Sequence, residues 1–374
     1  MFTSKTELQA AVNLWCGTEQ EKALALSTYG EINEWNVSQI TDMNELFKLK
    51  SSFNDDISNW NVSSVTNMYA MFYECNSFNQ SLNLWDVSSV TTMRDMFVGA
   101  SSFNQSLNSW DVSSVTTMQY MFFRAEVFNQ DISDWDVSSV TTMQNMFRQA
   151  EAFNQPLNSW NVSSVTNMRQ MFGQAYVFNQ PLNSWIVSSV TNMNETFSEA
   201  SLFNQDISDW NISSVTFIGG MFKNTEAFNQ PLNSWDMSSV TRADEMFYNA
   251  TAFNQPIDSW DVSSVKNISY MFYGASSFNQ PLASTYQTSG DYGWDVSSAE
   301  TMSSMFQDAT AFNQDIRSWN VDNVIYFTNM FNGATEMNNN YSAPDTPDAS
   351  WFTPPPEPEP EPEPVPEPEP EPEP

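Results

Sequence analysis

Hydrophobic and polar positions recur along this chain with a period of 25 residues. Each repeat opens with Trp, continues through Asp or Asn and Val-Ser-Ser-Val-Thr, and then carries Met, Met-Phe, Ala and Phe-Asn-Gln before Leu or Ile. A self-similar unit of this length predicts a solenoid of stacked coils. We expect one elongated array of about twelve repeats. The Trp residues that mark them are at 35, 60, 85, 110, 135, 160, 185, 210, 235, 260, 294 and 319.

The first half of a repeat has the periodicity of a helix. In the repeat that begins at Trp110, the apolar face consists of Val115, Met118, Met121, Phe122 and Ala125. These residues fall on one side of a helix with 3.6 residues per turn, and either preceding Ser can serve as its N-cap. The pattern therefore predicts one short α-helix in each coil.

The Phe-Asn-Gln segment predicts a short strand in a parallel sheet. Pro follows Gln at 156, 181, 231, 256 and 281. Because Pro donates no N–H, that position cannot be a regular donor in the sheet, so the strand should span about three or four residues. Together, the two patterns predict an α/β solenoid with one short parallel strand and one short helix per coil.

Residues that do not vary between repeats are expected to form columns of side chains along the array. Trp110 and Trp135 should stack as buried indoles. Asn129 and Asn154 should hydrogen-bond backbone groups that a tight bend leaves unpaired, as well as their equivalents in the next coil. We interpret these four residues as a structural ladder.

The ends of the chain differ from the repeats. Residues 5–15 and 19–26 have helical patterns and predict an N-terminal cap over 1–34. The array should then span 35–340, with a nine-residue insertion near 283–292. Residues 341–374 end in alternating Pro and Glu, a composition that predicts a disordered, extended tail.

Composition narrows the range of functions. The formal charge is −33, which argues against nucleic acid and anionic membranes as partners. Histidine is absent and the only cysteines are Cys16 and Cys75, so imidazole catalysis and thiolate zinc sites are not expected. The N-terminal residues do not resemble a signal peptide, and no apolar run is long enough for membrane insertion.

The repeat W-[DN]-V-S-S-V-T-x-M-x-x-M-F-x-x-A-x-x-F-N-Q-x-[LI] closely resembles that of the BspA-like leucine-rich-repeat surface proteins. That family occurs in bacteria, among mycoplasma surface lipoproteins and in some protists and algae. The resemblance covers residues 35–340, and the segment before the array is also similar. It implies a right-handed solenoid at a cell surface that serves adhesion or protein binding and has no enzymatic activity. It supplies no fixed functional residues.

Positions that vary between coils are free to specify a partner. Four Arg occur in successive repeats of this acidic chain, together with two aromatic residues on the predicted outer helix surface. Arg and aromatic residues dominate interface energetics, so this surface is the best candidate for binding a protein or a cell-surface glycan. Its members are Arg94, Tyr120, Phe123, Arg124, Arg148 and Arg169.

Two other chemistries are weaker candidates. Asp86, Asp111 and Asp136 should stack about 5 Å apart, which makes a Ca²⁺ site conceivable, although capping of the Val-Ser-Ser turn explains Asp and Asn equally well. A glycoside hydrolase would need two carboxyls facing each other across a cleft, and periodic Asp on a rod does not supply that. A purely structural spacer is the remaining alternative.

Overall fold

The N-terminal cap is a pair of helices. The computed structural model describes residues 1–282 and 294–353, so the predicted insertion and the Pro/Glu repeat of the tail lie outside the described residues. Helix α1 spans Lys5–Trp15 and α2 spans Glu19–Tyr29; Ser4 caps the first and a Thr18–Glu21 capping box starts the second. A 3-10 helix, Ile32–Glu34, leads into the first coil.

The coils are stacked loops without helices, and the predicted helix is wrong in every described coil. In the fourth coil, residues 110–134, the N–H of Tyr120 donates to the Gln144 carbonyl of the next coil at 3.0 Å. The N–H of Met121 turns back to the carbonyl of Met118 at 3.2 Å. Successive N–H groups of this segment thus alternate between donating to the neighbouring coil and closing a local turn, whereas in a helix all of them would donate within the helix.

Two residues in each coil adopt left-handed backbone conformations. Tyr120 has φ 57° and Arg124 has φ 59°, and the corresponding pair recurs throughout the array. This conformation costs roughly 1–2 kcal/mol for residues other than Gly, Asn and Asp. Gly99 and Gly274 occupy the same position as Arg124 in their own coils, at φ 65° and 63°. At Tyr120 and Arg124, backbone hydrogen bonds to the neighbouring coil hold the backbone in this strained conformation.

The predicted strand is also misplaced. The Phe-Asn-Gln segment forms no β-bridge. The parallel bridges are isolated ones at the residue that directly follows Val-Thr or its equivalent, for example between Thr117 and Thr142. One bridge per coil is too short to be a strand. In the Phe-Asn-Gln segment, the N–H of Phe128 closes a turn on the Ala125 carbonyl, and the N–H of Asn129 donates to the Asn104 side chain of the preceding coil rather than to its backbone.

The core consists of continuous columns of constant residues. Phe122 stacks on Phe147 of the next coil with ring centroids 5.6 Å apart, and on Phe128 of its own coil at 4.1 Å. Trp110 and Trp135 stack at 6.3 Å with nearly parallel planes. All of these rings are at most 3% exposed. Stacking thus buries large apolar areas while keeping one register along the array.

The C-terminal end is closed by a helix at the end of the predicted array and by residues that were expected to belong to the tail. Helix α3 spans Thr335–Tyr341, and a 3-10 helix follows at Ala349–Trp351. Trp351 packs against Phe331 with centroids 5.1 Å apart, and Phe352 is only 6% exposed. The ordered body therefore reaches Phe352 rather than ending near 340, because the last coil needs an apolar cover.

Candidate functional site

The Asn column bonds adjacent coils through side-chain oxygens. The Asn129 Oδ1 accepts from the backbone N–H of Asn154 at 2.9 Å and from the Gln155 side chain at 3.0 Å. The Trp110 indole donates to the Leu82 carbonyl at 2.9 Å. These contacts recur from coil to coil, so these residues contribute to the frame.

The three Asp residues considered for calcium each cap the turn that follows them. The Asp86 carboxylate accepts from the backbone N–H and the hydroxyl of Ser88, at 3.2 and 2.6 Å. Asp111 makes the same pair of bonds, and Asp136 accepts from the N–H of the corresponding Ser. Hydrogen bonds from Ser lower the pKa of Asp86 and Asp136. Over residues 1–282 and 294–353, no group of three His, Cys, Asp or Glu side chains is placed to hold a metal.

The six candidate binding residues lie on the part of the coils that varies in sequence, in the third to sixth coils. We call this surface the Arg/aromatic face: Arg94, Tyr120, Phe123, Arg124, Arg148 and Arg169. None of them is helical, contrary to the prediction, because this part of each coil consists of the alternating turns.

Three of these residues are in direct contact. The guanidinium of Arg148 lies over the Phe123 ring, 5.6 Å from its centroid, and Tyr120 packs edge-on against Phe123 at 5.8 Å. The backbone N–H of Arg124 donates to the Arg148 carbonyl, so the two Arg are neighbours in adjacent coils. The structure thus brings Tyr120, Phe123, Arg124 and Arg148 together, and Arg94 and Arg169 lie in the flanking coils.

Nearby acidic residues that sequence reasoning missed pair with two of the Arg. Arg124 reaches across two coils to Glu74, at 3.0 Å, and Arg94 lies 3.5 Å from Asp95. Burial raises the pKa of Asp95, and the charge of Arg94 opposes that shift. Arg169 is exposed. The face is therefore a mosaic of both charges.

Several side-chain oxygens on this side of the array have no hydrogen-bond donor. Within the described ranges, the buried oxygens without a partner are Thr117 Oγ1, Asn145 Oδ1, Gln174 Oε1 and Asn194 Oδ1. They belong to four successive coils, the fourth to the seventh, and Asn145 is only 1% exposed. Buried acceptors normally have donors, so these four are exceptions within the frame. Because the oxygens have almost no accessible surface, a partner docked on the outside of the array would not reach them.

A second aromatic cluster was not anticipated. Tyr248 and Tyr273 stack with centroids 4.4 Å apart, Tyr270 packs beside them, and the ammonium of Lys223 lies 5.0 Å from the Tyr248 centroid. The signal was present in the sequence, because these residues occupy the same variable repeat positions as Tyr120 and Phe123.

Comparison with known families gives a direct match over most of the chain. The family described as "Mycoplasma protein of unknown function, DUF285" matches residues 18–126, 105–207, 178–286 and 291–352. The chain belongs to this family. The four tandem matches cover the coils as repeated units, in agreement with the repeat solenoid predicted from the sequence.

Comparison with individual proteins adds little. No curated protein matches the chain. Among solved structures, a TLR13–ssRNA13 complex is 11% identical with a TM-score of 0.26, and a Toll–Spätzle complex from Drosophila is 8% identical with a TM-score of 0.23. The matches cover 80% and 79% of this chain and 45% of each solved chain. These scores are too low to support an argument about fold or function.

None of the helices within residues 1–282 and 294–353 is long and apolar enough to cross a membrane.

Proposed function

We propose that this protein is a non-enzymatic binding module that presents the Arg/aromatic face to a partner protein or a cell-surface glycan. The observation that carries the proposal is the clustering of Arg and aromatic side chains on one side of the array. Arg and aromatic residues are the usual anchors of interfaces, and the partly exposed Tyr120 and Phe123 rings lie beside exposed Arg side chains here.

The surface location and the adhesive role are part of this proposal. They rest on the resemblance of the repeat to BspA-like leucine-rich-repeat surface proteins, together with membership of a family that is described from Mycoplasma. An acidic array with stacked, constant columns suits this use, because variable residues can change without disturbing the frame.

A structural spacer is the second candidate, and one observation favours it. Arg124 and Arg148 already have partners within the chain, Glu74 and the Phe123 ring. If all the Arg on this face serve only such contacts, the face has no free binding capacity.

The test is to replace Arg94, Arg124, Arg148 and Arg169 together by Ser and to measure capture of partners from cell-surface extracts. The binding proposal expects capture to be lost while the circular dichroism spectrum and the thermal transition are retained. A matched control replaces Arg242 and Arg317 by Ser, because these two pair locally with Asp244 and Asp315 and lie off the face. Unchanged capture by the fourfold variant, or equal loss in the control, would contradict the proposal.

A further inference from the structure

A row of exposed and partly exposed apolar residues runs along the middle of the array, a few residues after the Arg/aromatic positions of each coil. Val127, Ala152, Val177 and Leu202 occupy the position before the buried Phe of Phe-Asn-Gln in four successive coils. Val127 is 43% exposed and Leu202 53% exposed, and Tyr176 beside them is 38% exposed. Ala152 and Val177 are half-buried. We call these five residues the apolar row. Contiguous exposed apolar residues with polar surroundings are typical of interaction sites.

The fold does not require apolar side chains at this position. The equivalent residue is Ser52, Ser77 or Ser102 in the first three coils and Ser277 in the tenth. The backbone N–H of Ser77 donates to the preceding coil at 3.0 Å, as that of Ala152 does at 3.0 Å. Because coils with Ser at this position stack in the same way, folding does not require the apolar side chains in the fourth to seventh coils.

Carboxylates accompany the apolar row. The residue before it in the sequence is Glu126 in the fourth coil and Glu151 in the fifth, and both are exposed. Glu226 holds the same position just beyond the row, in the eighth coil. In the coils that have Ser in the row, this neighbouring residue is Ser or Asn. Acidic residues at this position therefore occur in the same part of the array as the apolar residues.

These carboxylates are available to a partner. Within the described part of the chain, no Lys or Arg lies within ion-pair distance of Glu126, Glu151 or Glu226. Burial raises the pKa of the Tyr176 phenol, and the charges of Glu199 and Glu151 raise it further. Negative potential thus surrounds the aromatic member of the row.

We propose that the apolar row, with Glu126, Glu151 and Glu226, is a docking site for a basic peptide segment of a partner protein. Aliphatic side chains of that segment would cover Val127 and Leu202, and its Lys or Arg side chains would pair with the carboxylates. A second copy of this chain is a poor occupant, because each copy carries a formal charge of −33. The row uses residues other than those of the Arg/aromatic face, although Glu126 lies two residues after Arg124 in the sequence. The Arg side chains of that face would not pair with a basic segment.

The test uses three short fluorescent peptides as probes of the full chain: one in which Lys and Leu alternate, one in which Ser replaces the Leu, and one in which Glu replaces the Lys. We expect the Lys/Leu peptide to bind most tightly and the Glu/Leu peptide to show no binding. The paired substitution Val127→Ser and Leu202→Ser should weaken Lys/Leu binding by about tenfold or more, a loss of about 1.4 kcal/mol. Since Ser occupies this position elsewhere in the array, the variant should fold.

A second pair, Glu151→Gln and Glu226→Gln, should weaken binding at low salt and remove much of its salt dependence. The matched control is Leu84→Ser, because Leu84 is 85% exposed but lies in the second coil, away from the row. It should bind the Lys/Leu peptide like the unmodified protein.

Two results would overturn the proposal: equal binding of the Lys/Leu and Lys/Ser peptides, or equal effects of the row substitutions and Leu84→Ser. Either would mean that the acidic chain attracts cations without using the row. The fourfold Arg variant of the Arg/aromatic face keeps the row and its carboxylates, so it should bind the Lys/Leu peptide at least as tightly as the unmodified protein. Failure at one surface is therefore distinguishable from failure at the other.

Discussion

Replacing Asn129 by Ala tests whether the Asn column holds neighbouring coils together. The substitution removes the oxygen that accepts from the Asn154 N–H at 2.9 Å and from the Gln155 side chain at 3.0 Å. Gln155 keeps its second bond, to the Asn129 backbone carbonyl. The Asn154 N–H, however, has no other acceptor among the hydrogen bonds of the described residues. Two net hydrogen bonds of about 1 kcal/mol each give a local loss of about 2 kcal/mol.

The assay is amide hydrogen exchange at Asn154, because repeat arrays open locally and a global transition would average the effect. A loss of about 2 kcal/mol corresponds to exchange about thirtyfold faster at that amide, with little change in coils far from the substitution. Asn129→Asp is the matched control, since its carboxylate oxygen can accept both bonds. The reasoning is refuted if Ala leaves exchange at Asn154 unchanged, or if Asp accelerates it as much as Ala does.

Three further outcomes are expected. Gly274→Ala should destabilise the protein by about 1 kcal/mol or more, because a Cβ at φ 63° would collide with the neighbouring Asn249 amide. Gly173→Ala should be tolerated, because the atom nearest to the added Cβ would be 3.5 Å away. Thermal melts of the two variants compare these effects. The lowered pKa of Asp86 and Asp136 stabilises the fold above the unfolded Asp pKa of about 3.9, and that stability is lost as pH falls through the folded pKa. Asp→Asn at both sites should therefore flatten the fall in Tm during acid titration. An unchanged acid profile contradicts this expectation. Calorimetry with Ca²⁺ should show no binding heat, because Ser residues already occupy the carboxylates, and a Tm that drops with chelator would revive the calcium site.

The sequence was informative about what repeats and what is buried. The 25-residue period predicted the solenoid, and the residues predicted to face the core, such as Val115, Met118 and Phe122, are fully buried. Each constant residue meets its own equivalent in the next coil, so identity at a fixed interval directly reports stacking. The variable positions were a less certain guide, since Arg94, Arg124 and Arg169 are exposed but Asn145 is only 1% exposed.

The secondary structure could not be predicted from one coil alone. An apolar pattern at Val115, Met118, Met121 and Phe122 fits a helix, but it fits a series of tight turns equally well, because both return side chains to one face. What decides between them is where alternate N–H groups find acceptors, and those acceptors lie in the next coil. One clue was present: Gly and Asn recur at the left-handed positions, as at Gly99 and Asn145, and both tolerate that conformation.

The two ends of the array make contacts that differ from those between its coils. At the N-terminal end the Gln9 side chain donates to the Leu46 carbonyl of the first coil. At the C-terminal end the Asn340 side chain donates to Asn313, the last oxygen of the Asn column. Within the described residues, the junctions between these ends share the bonds of the Asn column and the Trp indoles, so a whole coil can be duplicated or deleted without redesigning either terminus. Gene rearrangement could thus change the length of the protein in steps of one coil, about 4.8 Å each, and thereby the spacing between its binding surfaces.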